Sequence, residues 1–565
     1  MPKVPRCNAT LVLIILLTAV ALAQDRPADP VMAVMKQELE RSLANLKGKP
    51  QPPYFLAYQL TDNRAIQVSG SFGTLISSDD HRTRVLDVDL RTGDYALDNT
   101  HPMRGGFSGL DFSSFRGGSV PLEDDPAALR RALWHRTDQE YKAAIERLQE
   151  VKANVQVRVE AEDKSPDFSR EAPVSYSEPE APFAFDRALW EQKVRTFSAP
   201  FREHPDLYEG AVAAMAELET RRYVSSDGSE IRISLPLYRL MITASTKAED
   251  GMELPLHETF LAFSAGGLPD DAAVQKTVEE MIRKLLELRK APVAEPYTGP
   301  AILSGRSSAV FFHEIFGHRV EGHRQKDEDE GQTFKKKVGQ PVLPASFSVH
   351  SDPTQRRMGS SDLAGFYLYD DEGVKARRVA LVEKGVLKNF LMSRSPIENF
   401  DHSNGHGRRQ QGFPVVARQS NLLVESSKPV PRAELKKMLI AQVKAAGKPY
   451  GLLFDDIEGG FTFTQRTIPN AFNVMPTVVY RVYPDGREEL VRGVDLIGTP
   501  LIAFSKIEAA DDDVQVFNGI CGAESGWVPV SAVSPGLLVA QIETQRKEKS
   551  QERPPILPPP AQEGK

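Results

Sequence analysis

The chain has 565 residues, of which 41% are hydrophobic, 26% charged and 8% aromatic, and 70 basic against 77 acidic side chains leave a net charge of −7. Those values exclude collagen, extended coiled coil and wholesale disorder, and the acidic balance argues against a nucleic-acid partner held through its phosphates. Two cysteines exclude a disulfide scaffold, and the length calls for more than one hydrophobic core.

Lys3 and Arg6 precede the apolar run ATLVLIILLTAVALA, which ends in Ala21-Leu22-Ala23. This is the layout of a cleavable secretory signal over residues 1–23, cut after Ala23. The run is near 14 residues, short of the roughly 20 that a spanning helix needs. An exported protein is expected, periplasmic or secreted, with no membrane attachment after cleavage. Cleavage removes Cys7 and leaves Cys521 as the remaining thiol, so no internal disulfide forms.

Asp29 caps a helix with Pro30 at its first position, and Met32, Met35, Leu39, Leu43 and Leu46 line one face before Gly48 ends it. From 53 to 98 the runs YFLAYQL, AIQVSG and RVLDVDL read as strands. A Gly-, Ser- and Phe-rich loop fills 100–125, either a lid or a plain insertion. Helical patterns follow at 127–151, 184–197 and 206–219, with a polar, Pro-containing connection after the first. RRYVSSDGSEIRISLPLY reads as a hairpin turning at Asp227-Gly228. Strands continue to about 264, and Val274, Val278, Met281, Leu285 and Leu288 then mark an amphipathic helix that stops before Pro292.

The proline-rich APVAEPYTGP at 291–300 is the natural boundary, dividing an N-terminal domain (24–295) from a C-terminal one (296–544). Beyond it the runs GFYLYDDEG, ARRVALVEKGVLKNFLM, TVVYRVYPDGREELVRG and LIGTPLIAF read as strands and turns, with hairpin turns at Lys384-Gly385 and Asp485-Gly486. One helix interrupts them near 432–446. The charged, Pro-rich tail 545–565 is expected to be unstructured.

The most informative stretch is SSAVFFHEIFGHRVEGH, where Ser307 or Ser308 can cap a helix that carries His313-Glu314 and leads to Gly317-His318. Two imidazoles with a carboxylate beside the first is the arrangement of zinc hydrolases, the histidines holding the ion and the glutamate taking a proton from its water. His313 and His318 are five apart, about 140° around an ideal helix, so both face one ion only if the helix breaks between them. Gly317 is where that break is cheapest. A buried helix whose histidines merely hydrogen-bond remains the alternative. Cys521, in the Gly-rich NGICGAESGWVPVSAVSPG, is the natural candidate for a third ligand, as a thiolate.

At this point the chain resembles the TldD/PmbA family of metalloproteases. The matching pieces are HEIFGHRVEG, YLYDDEGVKARRVALVEKGVLKNFLMSR, NGHGRR, GVDLIGTPLIAFSKIEAADDD and NGICGAESGWVPVSAVSPGLLVAQIE, in order through the second half. The first half matches weakly. The resemblance implies one Zn²⁺ bound by His313, His318 and Cys521, with Glu314 as the general base, in the active TldD-like type. It further implies an α+β fold of two domains, a mixed α/β N-terminal domain and a β-rich C-terminal domain carrying a short metal-binding helix. Family members enclose the site in a dimer cavity, so a homodimer or a heterodimer with a related subunit is expected. The sequence departs from the family pattern at His323, where better-known members carry an acid, and in its export signal, since familiar members are cytoplasmic.

Other groups stay open at this level. Glu321, three residues after His318, is placed to be a fourth ligand, to orient a histidine, or to form a surface ion pair. Gly405, Gly407 and Arg408 match the family's G-x-G-R and suit either close approach to substrate or a structural turn; His406 between them is a weaker candidate. His323 is either a polar group near the site or a surface residue. The acidic run KDEDEG at 326–331 reads as a solvated loop, and Asp370 and Asp371 as a strand–turn junction. The reading is an exported zinc metallopeptidase acting on unfolded or short peptides. The rivals are a zinc amidase or deacylase acting on a small or cell-wall amide, and a non-enzymatic chaperone-like or metal-binding protein.

Overall fold

The computed structural model describes residues 29–103, 117–157, 163–465, 472–549 and 551–557. The expected signal segment, half of the 100–125 loop (104–116) and the end of the tail lie outside the described residues. Among the described residues, no helix is long and apolar enough to cross a membrane.

Helix α1 (Pro30–Leu46) begins as the sequence requires, with the Asp29 carboxylate accepting from the N–H groups of Val31 and Met32 at 3.0 and 3.1 Å. Two long strands follow, β1 (Pro53–Ser71) and β2 (Thr74–Thr92). The two runs read as separate strands within β1 are continuous, because Asn63 and Arg64 at their junction find partners in Glu217 and Asp80 on the neighbouring strands. Helices α2 (Pro126–Val157) and α3 (Arg187–Ser198) lead into β3 (Glu209–Ser225), β4 (Glu230–Lys247) and β5 (Glu253–Ala262), and α4 (Asp271–Lys290) closes this half. The helix expected over 206–219 is therefore a strand. Its alanines suit a helix by propensity, but Val212, Ala214, Ala216, Leu218 and Thr220 are buried at a period of two, and pairing with β1 and β4 on both sides decides it.

The antiparallel order β2–β1–β3–β4–β5 gives the sheet two different faces. Leu56, Tyr58, Leu60 and Val68 of β1 share one face and pack beneath the helices. The opposite face carries Phe55, Ala57, Gln59, Glu219, Arg221 and Tyr223 and meets loops of the C-terminal half: Tyr369 joins its apolar cluster, Asp371 pairs with Arg221, and Gln411 donates to Glu219 at 2.9 Å.

The C-terminal half is β-rich. Strand β6 (Thr298–Leu303) and helix α5 (Gly305–Ile315) are followed by β7 (Phe347–Ser351), β8 (Val379–Glu383), β9 (Asn421–Ser426), helix α6 (Arg432–Ala445), β10 (Gly451–Thr462), β11 (Phe472–Val482), β12 (Val494–Gly498), helix α7 (Pro500–Ser505), β13 (Gln515–Ala523), β14 (Gly526–Ser534) and β15 (Leu537–Arg546). Pairing runs β10–β6–β15–β12–β11 and back to β10, closing a five-stranded barrel. A second sheet runs β8–β7–β9–β14–β13 and ends on β13 as its edge. Lys384 and Gly385 both have positive φ, 47° and 82°, as a two-residue hairpin turn demands. Two of the strand-and-turn runs hold little strand. LIGTPLIAF is strand only to Gly498, because Pro500 opens α7. GFYLYDDEG is a turn in which Asp370 accepts from the N–H groups of Glu372, Val374 and Gly407.

Burial pushes the Glu219 carboxyl up to about 7; Arg221 opposes the rise, while Glu217 and Asp371 add to it. The folded value lies above the usual 4.5, so the fold favours the protonated form and loses stability as pH rises between those two values. Glu219→Gln removes that loss. Its stability advantage over wild type should grow from near zero at pH 4 to about 1–2 kcal/mol at pH 8, measured by urea unfolding across that range.

Candidate metal centre

Helix α5 is buried on every side, packed between the barrel strands β10 and β11 and the sheet strands β13 and β14. Ser304, rather than Ser307 or Ser308, caps it, accepting from the Ser307 N–H at 3.3 Å. Phe311 meets Phe472 edge-on and Phe312 meets Phe504, with centroids 5.6 and 5.2 Å apart. Ser308 Oγ and Ser534 Oγ lie 2.6 Å apart, tying the helix to β14. These contacts leave the helix no freedom to rotate.

The helix stops where the sequence predicts a break. Phe316 takes φ −122° and ψ −51°, and Gly317–Val320 continues as a tighter 3₁₀ turn. A Cβ on Gly317 would lie 1.8 Å from Gln419 Oε1, so only glycine lets the turn approach that side chain. The turn swings His318 back beside His313, and the ring centroids sit 4.9 Å apart at 81°.

Cys521 arrives from β13, opposite Val528 of β14. Its Sγ lies 3.3 Å from His313 Nε2 and 3.3 Å from His318 Nε2. One donor atom from each of the three residues falls within 4.8 Å of the others, and all three residues are buried. Donors of this kind around a tetrahedral zinc are separated by about 3.5 Å, given Zn–N near 2.0–2.1 Å and Zn–S near 2.3 Å. Burial alone would push the Cys521 thiol up, but the His318 and His313 rings and Arg418 hold it well below its ordinary value, favouring the thiolate that coordination needs. The donor set therefore fits a zinc-like divalent ion.

Glu314 sits beside His313 with its Oε2 buried and without a hydrogen bond. Burial pushes its carboxyl up, with the two imidazoles pulling against that. Gly460 of β10 lies flush against it; a Cβ there would come 2.8 Å from Glu314 Cγ. His313, Glu314, His318 and Cys521 all line a cavity of about 650 Å³. Its other walls come from the ends of β10 and β13, from Glu524 and from His257 of the N-terminal half. The rim is apolar, with Phe461, Phe463, Ile520 and Trp527 each between 44% and 49% exposed.

Glu321 does not join the donor cluster. It is fully buried behind His318, with Oε2 3.2 Å from Nδ1 of the ring, and it accepts from Arg324 Nε at 2.9 Å. Of the alternatives open in the sequence, histidine orientation is the one its position supports. The His318 imidazole and the Arg324 guanidinium overcome the effect of burial and hold its carboxyl well below the usual range.

The fold separates several alternatives that the sequence leaves open. Gly405, Gly407 and Arg408 are not among the residues that line the cavity. Arg408 donates to the Gln419 carbonyl at 2.6 Å and stacks over Tyr367, and the Gly407 N–H donates to Asp370, so these residues build a turn behind the site. His406 is buried against Ser351 and Asn404, and burial pushes it down to about 3, which keeps it neutral. The 326–331 run is not wholly solvated, because Glu330 is buried and accepts from Arg324 at 3.0 Å. His323 is no free surface residue and pairs with Glu524. Sequence reasoning missed Arg324, which lies within one turn of Glu321, and also Arg418, Gln419 and Glu524, which stand in no recognisable spacing to His313 and His318 and come near them only through the fold.

Residues 296–546 match the family model described as the PmbA/TldA metallopeptidase C-terminal domain. A metalloprotease of Archaeoglobus fulgidus is 28% identical over 271 residues, covering 47% of this chain and 58% of the relative. A protein of Saccharolobus solfataricus named zinc metalloprotease TldD homolog is 21% identical over 344 residues, covering 60% and 72%. The chain thus spans little more than half the length of the Archaeoglobus protein. The crystal structure of TldE from Thermococcus kodakarensis superposes with a TM-score of 0.60 at 13% identity, over 91% of this chain and 100% of that one, which shows a shared fold.

Gly317→Ala tests the geometry directly. The added methyl must displace Gln419 and the 3₁₀ turn, so the variant should lose about 1–3 kcal/mol of stability. It should also carry far less metal than wild type when both are purified identically and assayed by elemental analysis.

Proposed function

We propose, from the premise that residues 296–546 are a TldD/PmbA-family domain, that this chain is a zinc-dependent metallopeptidase acting on unfolded or short peptides. The observation that carries the reading is the convergence of two imidazoles and a thiolate on the wall of a cavity, beside a buried carboxylate with an unpartnered oxygen. His313, His318 and Cys521 would hold the ion, and a thiolate in the donor set favours zinc over harder divalent cations. When bound, such an ion supplies Lewis acidity toward a peptide carbonyl and acidifies the attacking water.

Glu314 is the general base. Its free Oε2 receives the proton of the attacking water and returns it to the nitrogen of the leaving amine. The elevated affinity of this carboxyl for a proton, caused by burial, suits both transfers. The exposed Phe461, Phe463, Ile520 and Trp527 of the cavity offer apolar contact to the side chains of an extended peptide.

The N-terminal Lys3, Arg6 and apolar run support export, to the periplasm or beyond. Protein recovered from that compartment should begin at Gln24. Assembly as a homodimer or with a related subunit follows from the family premise, and light scattering on the purified protein checks it.

Glu314→Gln should lower peptide hydrolysis by about 10²–10⁴-fold while zinc content and melting temperature stay at wild-type values. Cys521→Ser should lose zinc as well as activity. A Glu314→Gln protein that retains wild-type turnover of unfolded peptides would overturn the assignment of the base.

A further inference from the structure

Arg418 is the largest side chain in the described structure with no solvent exposure. Its Nη2 donates to the Cys521 carbonyl at 2.9 Å and to Cys521 Sγ at 3.2 Å. Its Nη1 donates to Ser525 Oγ at 2.8 Å and to the Gly526 carbonyl at 3.2 Å, and its Nε lies 3.4 Å from Glu321 Oε1 in an ion pair. Glu321 in turn contacts His318 Nδ1 at 3.2 Å, and His318 Nε2 contacts Cys521 Sγ at 3.3 Å. The four side chains form a closed ring: His318, Glu321, Arg418, Cys521 and back to His318. Arg324 braces it from outside, donating to Glu321 at 2.9 Å and to Glu524 at 2.9 Å.

A guanidinium buried this deeply is strongly destabilising unless anions and acceptors surround it. Its charge is answered by the Cys521 sulfur and the Glu321 carboxylate, with Glu524 adding to them; the sulfur is itself one of the three donors, and Glu321 sits against another, His318. A neutral thiol is a weak acceptor and would leave Arg418 poorly paired, whereas a thiolate answers it. The hydrogen bond to sulfur fixes where Sγ points and withdraws electron density from it, and the pull on Glu321 fixes the carboxylate that aims His318.

We propose that Arg418 is a positioning residue of the metal centre, which sets the direction and donor strength of the Cys521 thiolate and, through Glu321, the orientation of His318. The inference rests on the metallopeptidase reading of the site. It concerns how the donors are held, and nothing in it requires Arg418 to touch substrate.

The test uses the full-length protein, wild type against Arg418→Lys and Arg418→Met, freed of metal and then titrated with zinc against a competing chelator and with cobalt(II). Arg418→Met should bind zinc about 10–100-fold more weakly. The thiolate-to-cobalt charge-transfer band should shift and weaken, and Arg418→Lys should recover part of the affinity but not the band position. A residue that only fills space would lower the melting temperature of the metal-free protein and leave both metal readouts unchanged; that result overturns the proposal. Glu321→Gln, which keeps Arg418 and changes one atom, covers the case in which neither arginine variant folds. A folded Glu321→Gln with wild-type zinc affinity overturns the ring as a unit. Wild-type protein that binds neither metal, or whose binding survives Cys521→Ser, would instead defeat the reading of the centre itself.

Discussion

The forced end of α5 at Phe316 is the constraint on which the site depends. The helix is wedged between a closed barrel and a second sheet, with Phe311, Phe312 and Ser308 each locked to a different neighbour. It can neither rotate nor extend without unmaking those contacts. The 3₁₀ turn that follows takes the chain sharply around Gln419, and this change of pitch turns a five-residue spacing into a pair of facing imidazoles. On an uninterrupted helix the same two rings would point about 140° apart.

The third donor comes from an unrelated element. Strand β13 is the edge of its sheet, and its pairing with β14 fixes which of its side chains face α5. Because side chains alternate along a strand, a slip of one residue in that register would turn the sulfur away. The site is thus held by one helix stop and one strand register, and the buried ionic ring through Glu321 and Arg418 couples the two. The N-terminal half contributes more than a lid. Its sheet presents a polar face to the C-terminal loops through Arg221 and Glu219, and His257 reaches the cavity wall.

Local pattern was legible wherever local physics decides. The Asp29 cap, the apolar stripe of α4, the hairpin turns at Gly228 and Gly385, and the break beside Gly317 follow from residue type and spacing. Reading failed where neighbours decide. The alanine-rich stretch within 206–219 reads as a helix and instead lies in the central strand β3, because β1 and β4 flank it. Arg408 suits either a substrate anchor or a structural turn, and residue type alone does not choose; the fold sets it against a carbonyl of its own chain.

By itself the sequence determined the chemistry available, namely two histidines with a carboxylate between them, a glycine where a helix must yield, and a thiol far along the chain. It could not determine that the thiol and the histidines meet, nor that Arg418 links the thiol to Glu321, because those separations along the chain carry no periodic signal. Only the tertiary structure decided this, through barrel closure and the β13–β14 register, since long-range pairing is set by which surfaces can be buried together.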